Sequence, residues 1–345
     1  MISIDGSFGE GGGQILRTSI GMSAVTGKPI RIFNIRAKRE NPGLQAQHLT
    51  SLRAVAALCN ASVKGDKIGS SEIEFIPNDI TGGKFNFDIG TAGSVTLVLQ
   101  SLMIPAIFAK ENLKIQIIGG TDVRWSPSID YLKFVTLQIL KKFGYSVEIN
   151  LIKRGYYPKG NGKVEIEINP VEKLKGIELI EHGELIKIFG LSHAHGDLKS
   201  KNVVERQASS TRKYLFDELS KIGIDSRIDI EMEYADALSY GSGITLCAEF
   251  ENTITGVDSL GERNKSSEDV GKEVAYKFID ELKSNAPLDS HMADQIIPYL
   301  AIASGKIKIP KMTSHIETNV LVVNKFGFNL NVRGNIIESQ TAMLN

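Results

Sequence analysis

The sequence has 345 residues, of which 42% are hydrophobic, and its 40 basic and 40 acidic side chains leave no net charge. That length is enough for two domains with buried cores, and a neutral chain is not a general polyanion binder, so any nucleic-acid contact must come from a local cluster. The two cysteines, Cys59 and Cys247, lack CxxC spacing. This excludes a cysteine zinc site and argues against a disulfide scaffold, while a single disulfide between them stays open.

The sequence also bears on cellular location. No basic segment followed by an apolar run is present at the N-terminus, so we expect no signal peptide. The apolar run 95–109 is too short to span a bilayer and is better explained as a buried helix. We therefore expect a cytoplasmic protein that does not engage a membrane.

A glycine-rich loop follows the first predicted strand, residues 2–4, and leads into a helix over about 15–24. Its five glycines permit close backbone approach, and the first N–H groups of a helix attract an anion. Glu10 and Arg17 lie in this loop and in the first helical turn. Spacing alone leaves two interpretations open, a tight turn and a phosphate site, since neither a Walker loop nor a dinucleotide fingerprint is present.

The strand and helix patterns then recur, which predicts three copies of one unit. The first copy continues with strands at 28–36, 62–64 and 72–76 and a helix over 49–58. The second begins about 80 residues later, with a strand at 84–88, a second glycine loop at 90–94, a helix to 109, a strand at 113–118, a helix over 128–142 and a strand at 145–149. The third has helices at 294–303 and 319–323 and strands at 306–309 and 328–332, and we expect 155–168 to supply its first strands.

About a hundred residues interrupt the third copy. They are predicted to form strands at 185–189, 227–234 and 243–250 and helices at 203–222 and 267–282. This pattern indicates a compact α/β insert, since insertions fall at surface loops. We expect a large domain of residues 1–181 plus 286–345 and a small inserted domain of residues 182–285.

Three groups of residues are candidates for chemistry. Arg36, Lys38 and Arg39 form a focused positive patch that either binds phosphate or is a solvated strand end. His193 and His195 would lie on one face of a strand and could bind a metal, although no third ligand is evident.

The third group lies near the C-terminus. His315 precedes an apolar helix and is either a capping residue or a nucleophile toward phosphorus. Asp294 is either an acid at a helix N-terminus or a metal or base residue.

Together these motifs resemble the RNA 3'-terminal phosphate cyclase family over nearly the whole chain. The matching motifs are Gly9-Glu-Gly-Gly-Gly-Gln-Ile-Leu-Arg17, Ile35-Arg-Ala-x-Arg39 with Pro42-Gly and Gln47-His48, Gly90-x-Ala-Gly-Ser94 through Leu99-Gln100, Gly119-Gly-Thr-Asp122, Met292-Ala-Asp-Gln295 and the late His315. The family signature at Arg154-Gly-x-x-Pro158-x-Gly160 is present but departs at Asn161, where a third consecutive glycine is usual. We expect that substitution to leave the chemistry intact.

The resemblance implies an α/β (α+β) fold with a large domain of three βαβαββ-like units and a smaller inserted α/β domain. It implies ATP-dependent conversion of an RNA 3'-phosphate to a 2',3'-cyclic phosphate, with His315 as the nucleophile that takes AMP from ATP. The positions that match the nucleotide and phosphate site are Glu10, Arg17, Arg36, Arg39, Gln47, His48, Gln100, Asp294 and Gln295, and Pro127 and His291 fall near the adenine pocket. A divalent metal, Mg²⁺ or Mn²⁺, is implied as well, with Glu10 as a candidate to hold it.

Two rival functions belong to other classes. A non-catalytic relative that acts in ribosome assembly would lack the nucleophile and much of the phosphate site, whereas His315 and the arginines are present here. An enolpyruvyl transferase is built from similar units but needs a pocket between two large halves, which a single small insert does not favour. The sequence leaves open whether the insert guides RNA or forms a subunit contact, and whether the chain is a homo-oligomer.

Overall fold

The computed structural model describes residues 1–340. The first unit comprises β1 (Ile2–Asp5), α1 (Gln14–Thr26), β2 (Ile30–Phe33), α2 (Ala46–Leu58), β3 (Ser62–Lys64) and β4 (Ile73–Ile76). The second comprises β5 (Gly83–Asp88), α3 (Val95–Ala106), β6 (Leu113–Gly119), α4 (Ile129–Tyr131), a π-helical turn (Leu132–Thr136), α5 (Leu137–Lys142), β7 (Val147–Lys153) and β8 (Gly162–Ile168).

The third unit begins with β9 (Ile177–Leu179) and is then interrupted. The interrupting segment comprises β10 (Leu185–His195), a 3₁₀ turn (Gly196–Lys201), α6 (Val203–Lys221), β11 (Ile228–Ala235), β12 (Ser242–Phe250), β13 (Ile254–Leu260) and α7 (Ser267–Lys283). The unit resumes with α8 (Ser290–Gln295), α9 (Ile297–Ala303), β14 (Gly305–Lys308), α10 (Ser314–Lys325), β15 (Asn329–Arg333) and β16 (Ile336–Gln340).

Each unit forms a four-stranded sheet with the same topology. The strand orders are β1-β2-β4-β3, β5-β6-β8-β7 and β9-β14-β16-β15. In every sheet the first two strands of the unit are parallel, and the last two are antiparallel and fold back beside them. In the first two units, the helix between the two parallel strands makes the crossover that such a pair requires. In the third unit, α8 and α9 precede β14 after the interrupting segment. The predicted α/β (α+β) class and the threefold repeat are confirmed.

One assignment within the repeat was wrong. Residues 155–168 were expected to supply strands to the third unit, but β8 pairs with β6 and β7 of the second sheet. The first strand of the third unit is β9, which pairs with β14 in parallel. The alternating pattern of β8 fits any half-buried strand equally well, so periodicity could not select its partner.

A single hydrophobic core joins the three units. One cluster of buried apolar side chains includes Ile20 of α1, Leu102 of α3 and Leu300 of α9. At the contact between α1 and α3, a Cβ added to Gly21 would lie 3.0 Å from Ile104. The absence of a side chain there allows the two helices to approach closely, which brings the loops before α1 and α3 to one end of the core.

The interrupting segment forms its own sheet, in the order β11-β10-β12-β13. Helices α6 and α7 cover it around a separate buried cluster that includes Ile188, Leu246 and Val274. The sequence missed β13, and it placed the end of β10 at residue 189 rather than at His195. Cys247 and Ile254, by contrast, pack into the core of the repeated units. The domain boundaries near residues 182 and 285 stay a prediction.

Two smaller expectations concern Asn161 and membranes. Asn161 has a φ of +58°, the left-handed region in which asparagine is tolerated best after glycine, so it can stand where the family usually has glycine. Over the described residues 1–340, no helix is both long and apolar enough to cross a membrane. The cytoplasmic location and the oligomeric state stay predictions.

Candidate active site

His315 lies in the first turn of α10, where its imidazole is 47% exposed. The helix begins there because the Thr313 hydroxyl accepts a hydrogen bond from the Ile316 N–H at 3.2 Å, which caps one free donor. The carbonyl of His315 accepts a hydrogen bond from Gln14 Nε2 at 3.2 Å. The imidazole is therefore held at the surface, beside the start of α1.

Two carboxylates hold the imidazole on either side. His315 Nδ1 lies 3.2 Å from Asp294 Oδ2, and Nε2 lies 3.3 Å from Glu10 Oε2. The Ser314 hydroxyl donates to the other Glu10 oxygen at 2.8 Å, and the Asn319 amide donates to the Asp294 carbonyl at 2.7 Å. The first glycine loop, α8 and α10 thus meet at one imidazole.

These neighbours shift the ionisation of both groups. The hydrogen bond and charge of Asp294, together with Glu10, raise the pKa of His315 above its usual value. The hydrogen bond from Ser314, together with the charges of His315 and Arg39, lowers the pKa of Glu10. The two carboxylates therefore favour the cationic imidazole while no substrate is bound.

Arg17 is buried behind this pair of carboxylates, with its Nε donating to Gln100 Oε1 at 3.1 Å. Burial lowers the pKa of Arg17 to about 10, while the Asp294 charge opposes that shift. The guanidinium therefore stays cationic at neutral pH. Its position joins α1, α3 and α8, one element from each unit.

His48 lies on the other side of the glycine loop and is also buried. Its pKa falls to about 3 because of burial and the charges of Arg17 and Arg36, so the ring is neutral. Nδ1 accepts the Gln45 N–H at 3.3 Å, which leaves the proton on Nε2. Nε2 faces Gly13 at the start of α1, where an added Cβ would overlap the ring. Gly13 thus lets a neutral N–H donor reach the helix N-terminus.

The two arginines of the positive patch have different surroundings. Arg39 is exposed and contacts Glu10 at 3.3 Å. The guanidinium of Arg36 turns inward and donates to the carbonyls of Asn41 and Gly43, the latter at 2.9 Å. Partial burial lowers the pKa of Arg36, with Arg39 adding a smaller repulsion. Arg36 therefore also holds the turn that follows β2.

The other predicted site residues lie around the second glycine loop and α8. Gln47 Oε1 accepts the Ser94 N–H at 2.9 Å, and the Pro127 carbonyl accepts the Thr96 hydroxyl at 2.8 Å. Two residues of α8 instead face the second unit, since Gln295 Oε1 lies 3.5 Å from the Thr136 hydroxyl and His291 meets the Tyr131 ring edge-on at 6.1 Å. Direct side-chain contacts within the predicted set form two groups. Glu10, Arg39, His315 and Asp294 make one network, and Arg17 and Gln100 make a separate pair.

Sequence reasoning missed Asp289, a residue that positions this set. Asp289 caps α8 through the N–H groups of His291 and Met292, and it also accepts the Tyr131 hydroxyl at 2.6 Å and the Gly256 N–H at 3.0 Å. It therefore ties α8 to the second unit and to the inserted sheet. Its place before a helix was a signal for a cap, but its other two partners are 158 and 33 residues away.

Comparison with known proteins identifies the family of this chain. Residues 8–332 match the sequence profile of the family described as RNA 3'-terminal phosphate cyclase. A Pyrococcus furiosus protein of that name is 47% identical over 98% of this chain and 97% of its own length. Proteins of the same name from Saccharolobus solfataricus and Ignicoccus hospitalis are 50% and 48% identical, each over 94% of this chain, and over 94% and 92% of their own lengths. The chain therefore belongs to the RNA 3'-terminal phosphate cyclase family.

Proposed function

We propose that this protein converts the 3'-terminal phosphate of RNA to a 2',3'-cyclic phosphodiester, using ATP and passing through a covalent AMP on His315. The observation that carries the proposal is the half-exposed imidazole fixed between Asp294 and Glu10, next to cationic Arg17 and Arg39. Family membership supports the overall reaction. The covalent step and the residue roles rest on the geometry.

Asp294 would determine which nitrogen attacks. A carboxylate at Nδ1 accepts the ring proton there, which leaves the lone pair on Nε2. Nε2 then attacks the α-phosphorus of ATP when Glu10 turns away from it, and the bond from phosphorus to the bridging oxygen breaks to release pyrophosphate. Positive charge that develops on the ring is stabilised by Asp294, as in other imidazole–carboxylate pairs.

Two further displacements complete the reaction. An oxygen of the RNA 3'-phosphate attacks the phosphorus of the bound AMP, and the P–N bond breaks to restore the neutral imidazole. The adjacent 2'-hydroxyl then loses its proton and attacks the 3'-phosphorus, which expels AMP and closes the ring. The need for that hydroxyl would restrict cyclisation to RNA ends.

The remaining groups would bind the charged oxygens. Arg17 and Arg39 supply cations, and His48 together with the first N–H groups of α1 supplies neutral donors at Gly13. The exposed Glu10 carboxylate and the Ser314 hydroxyl are hard oxygen donors, which fit Mg²⁺ or Mn²⁺. When bound there, such a metal would neutralise charge on the triphosphate.

The proposal is tested with α-labelled ATP, a divalent metal and a 3'-phosphorylated oligoribonucleotide. We expect a protein-bound label that is labile in acid and stable in alkali, as a phosphoramidate is, and its transfer to RNA followed by release of AMP. An otherwise identical oligonucleotide with a 2'-deoxy terminal residue should accept AMP and stop there. A folded protein that takes up no label, beside a positive control, would point to a non-catalytic RNA-binding protein.

Arg36→Ala and Arg39→Ala should separate binding from stability. Arg39→Ala removes an exposed ion pair that contributes about 0–1 kcal/mol, so we expect little change in unfolding free energy but weaker use of ATP. Arg36→Ala also removes hydrogen bonds from a charged group to two carbonyls, which should cost about 1.5–3 kcal/mol of stability. Chemical denaturation and KM for ATP measure the two effects, and equal stability of both variants would contradict the structural role of Arg36.

A further inference from the structure

A second cluster of ionisable side chains lies between the second unit and the inserted sheet and shares no residue with the candidate active site. Asp122 follows β6, Asp130 belongs to α4, Arg154 follows β7 and His193 lies on β10. All four side chains are at most 5% exposed. Buried charges persist only when they are paired or bind a metal, so each atom needs an identified partner.

Arg154 satisfies part of this cluster. It donates to Asp122 Oδ2 at 3.2 Å, to Asp130 Oδ2 at 2.9 Å and to both Glu233 oxygens at 3.0 Å. The Thr121 hydroxyl adds a hydrogen bond to Asp122 Oδ2 at 2.6 Å. Glu233 is 40% exposed to water, so the two buried carboxylates of Asp122 and Asp130 share the single positive charge of Arg154.

Within this cluster, two buried atoms have no hydrogen-bond partner among residues 1–340. They are Asp122 Oδ1 and His193 Nε2, which face each other at 3.5 Å with both side chains fully buried. Asp130 Oδ2 lies 3.8 Å from the same Nε2. The donor atoms of Asp122, Asp130 and His193 all fall within 4.8 Å of one another.

We propose that Asp122, Asp130 and His193 bind one divalent transition-metal cation, with Zn²⁺ as the best match. Ligands about 2.0–2.1 Å from a tetrahedral zinc ion lie roughly 3.4 Å apart, close to the spacing of Asp122 Oδ1 and His193 Nε2. A divalent cation would also offset the negative charge of the two buried aspartates. An imidazole nitrogen with carboxylate oxygens favours Zn²⁺ over Mg²⁺ or Ca²⁺.

The surroundings of His193 suit this role. The Tyr156 hydroxyl lies 2.8 Å from Nδ1, which orients the ring and leaves Nε2 for the metal. Gly243 has no side chain, and a Cβ built there would lie 2.9 Å from Nε2, so glycine keeps the space beside that nitrogen open. Asp130, Arg154 and Glu233 also line a cavity of about 1190 Å³, which brings open space to one of the three proposed ligands.

The metal would fasten the inserted sheet to the repeated units, because two ligands come from the second unit and one from β10. His195, two residues further along β10, does not join it. Its Nε2 lies 3.1 Å from the Ala237 carbonyl, and its Nδ1 accepts the Asp197 N–H at 3.1 Å. The sequence suggested both histidines as ligands, but only His193 belongs to the proposed site. The other proposed ligands, Asp122 and Asp130, come from the second unit.

The test uses tag-free full-length protein, stripped with a chelator, reloaded with Zn²⁺ and desalted before the metal is counted by mass spectrometry. We expect about one zinc per chain in the wild type and in Glu10→Gln, which removes the metal candidate of the proposed active site. His193→Ala and Gly243→Ala should lose at least tenfold in zinc affinity, while His195→Ala serves as the matched control and keeps it. The wild-type Tm should fall when zinc is removed.

Two results would overturn the proposal. A wild-type protein that retains no zinc, with a Tm that neither zinc nor chelator changes, would mean that a proton shared by Asp122, Asp130 and His193 occupies this space instead. Zinc retained by folded His193→Ala would place the metal elsewhere. Should His193→Ala fail to fold, the wild-type count and Gly243→Ala, whose backbone φ is not left-handed, decide the question.

Discussion

His315→Ala should abolish the transfer of AMP from ATP to the protein, to less than about one thousandth of the wild-type level. The substitution removes the imidazole that Asp294 contacts at Nδ1 and Glu10 contacts at Nε2, and neither carboxylate can form the same phosphoramidate. Because the imidazole is half exposed and its helix is capped by Thr313, we expect the variant to fold with little change in Tm. Labelled AMP on the acid-quenched protein measures the effect.

His182→Ala is the matched control for that variant. His182 contacts Gly183 and Asn285, and its ring lies tilted against that of Phe250, so it shares no contact with the nucleotide site. It should keep full uptake of label. Uptake of label by folded His315→Ala would show that another residue is the nucleophile, although RNA cyclisation itself could still be correct.

Asp294→Asn should lower the rate of AMP uptake by about 10²–10⁴-fold, the range in which a positioned proton acceptor contributes. An asparagine amide can turn its NH₂ group toward Nδ1 and stabilise the tautomer whose proton is on Nε2, which cannot attack. The backbone carbonyl of residue 294 would still accept the Asn319 amide, so α8 should keep its place.

The pH profile of kcat/KM for ATP distinguishes this positioning role from a loss of fold. Asp294 and Glu10 raise the pKa of His315, and only the neutral ring attacks, so wild-type activity should fall as the pH drops through a value above 6.5. Asp294→Asn removes the largest cause of that shift, so its acid limb should move to lower pH. Glu317→Gln, on the exposed face of the same helix, should leave the limb in place, and an unmoved limb in Asp294→Asn would argue against the hydrogen bond.

The sequence by itself determined where most strands and helices lie and which side chains are candidates for the chemistry. Alternating and helical spacing located most strands and helices because one face of each element is buried, and that requirement is visible within ten residues. Repetition of the pattern revealed three units, and the motifs from Gly9 to His315 pointed to a family to which the chain belongs. These properties are local, or depend only on residue type and order.

Only the tertiary structure decided which elements are partners. β8 could not be assigned to the second sheet from its own pattern, because pairing is settled by which distant strand offers a free edge and a matching buried face. Ser314 and Glu10 are 304 residues apart in sequence and hydrogen-bonded in space, and His193 of β10 lies 3.5 Å from Asp122 of the second unit. Packing of the three units around one core creates these contacts, and no spacing along the chain encodes them.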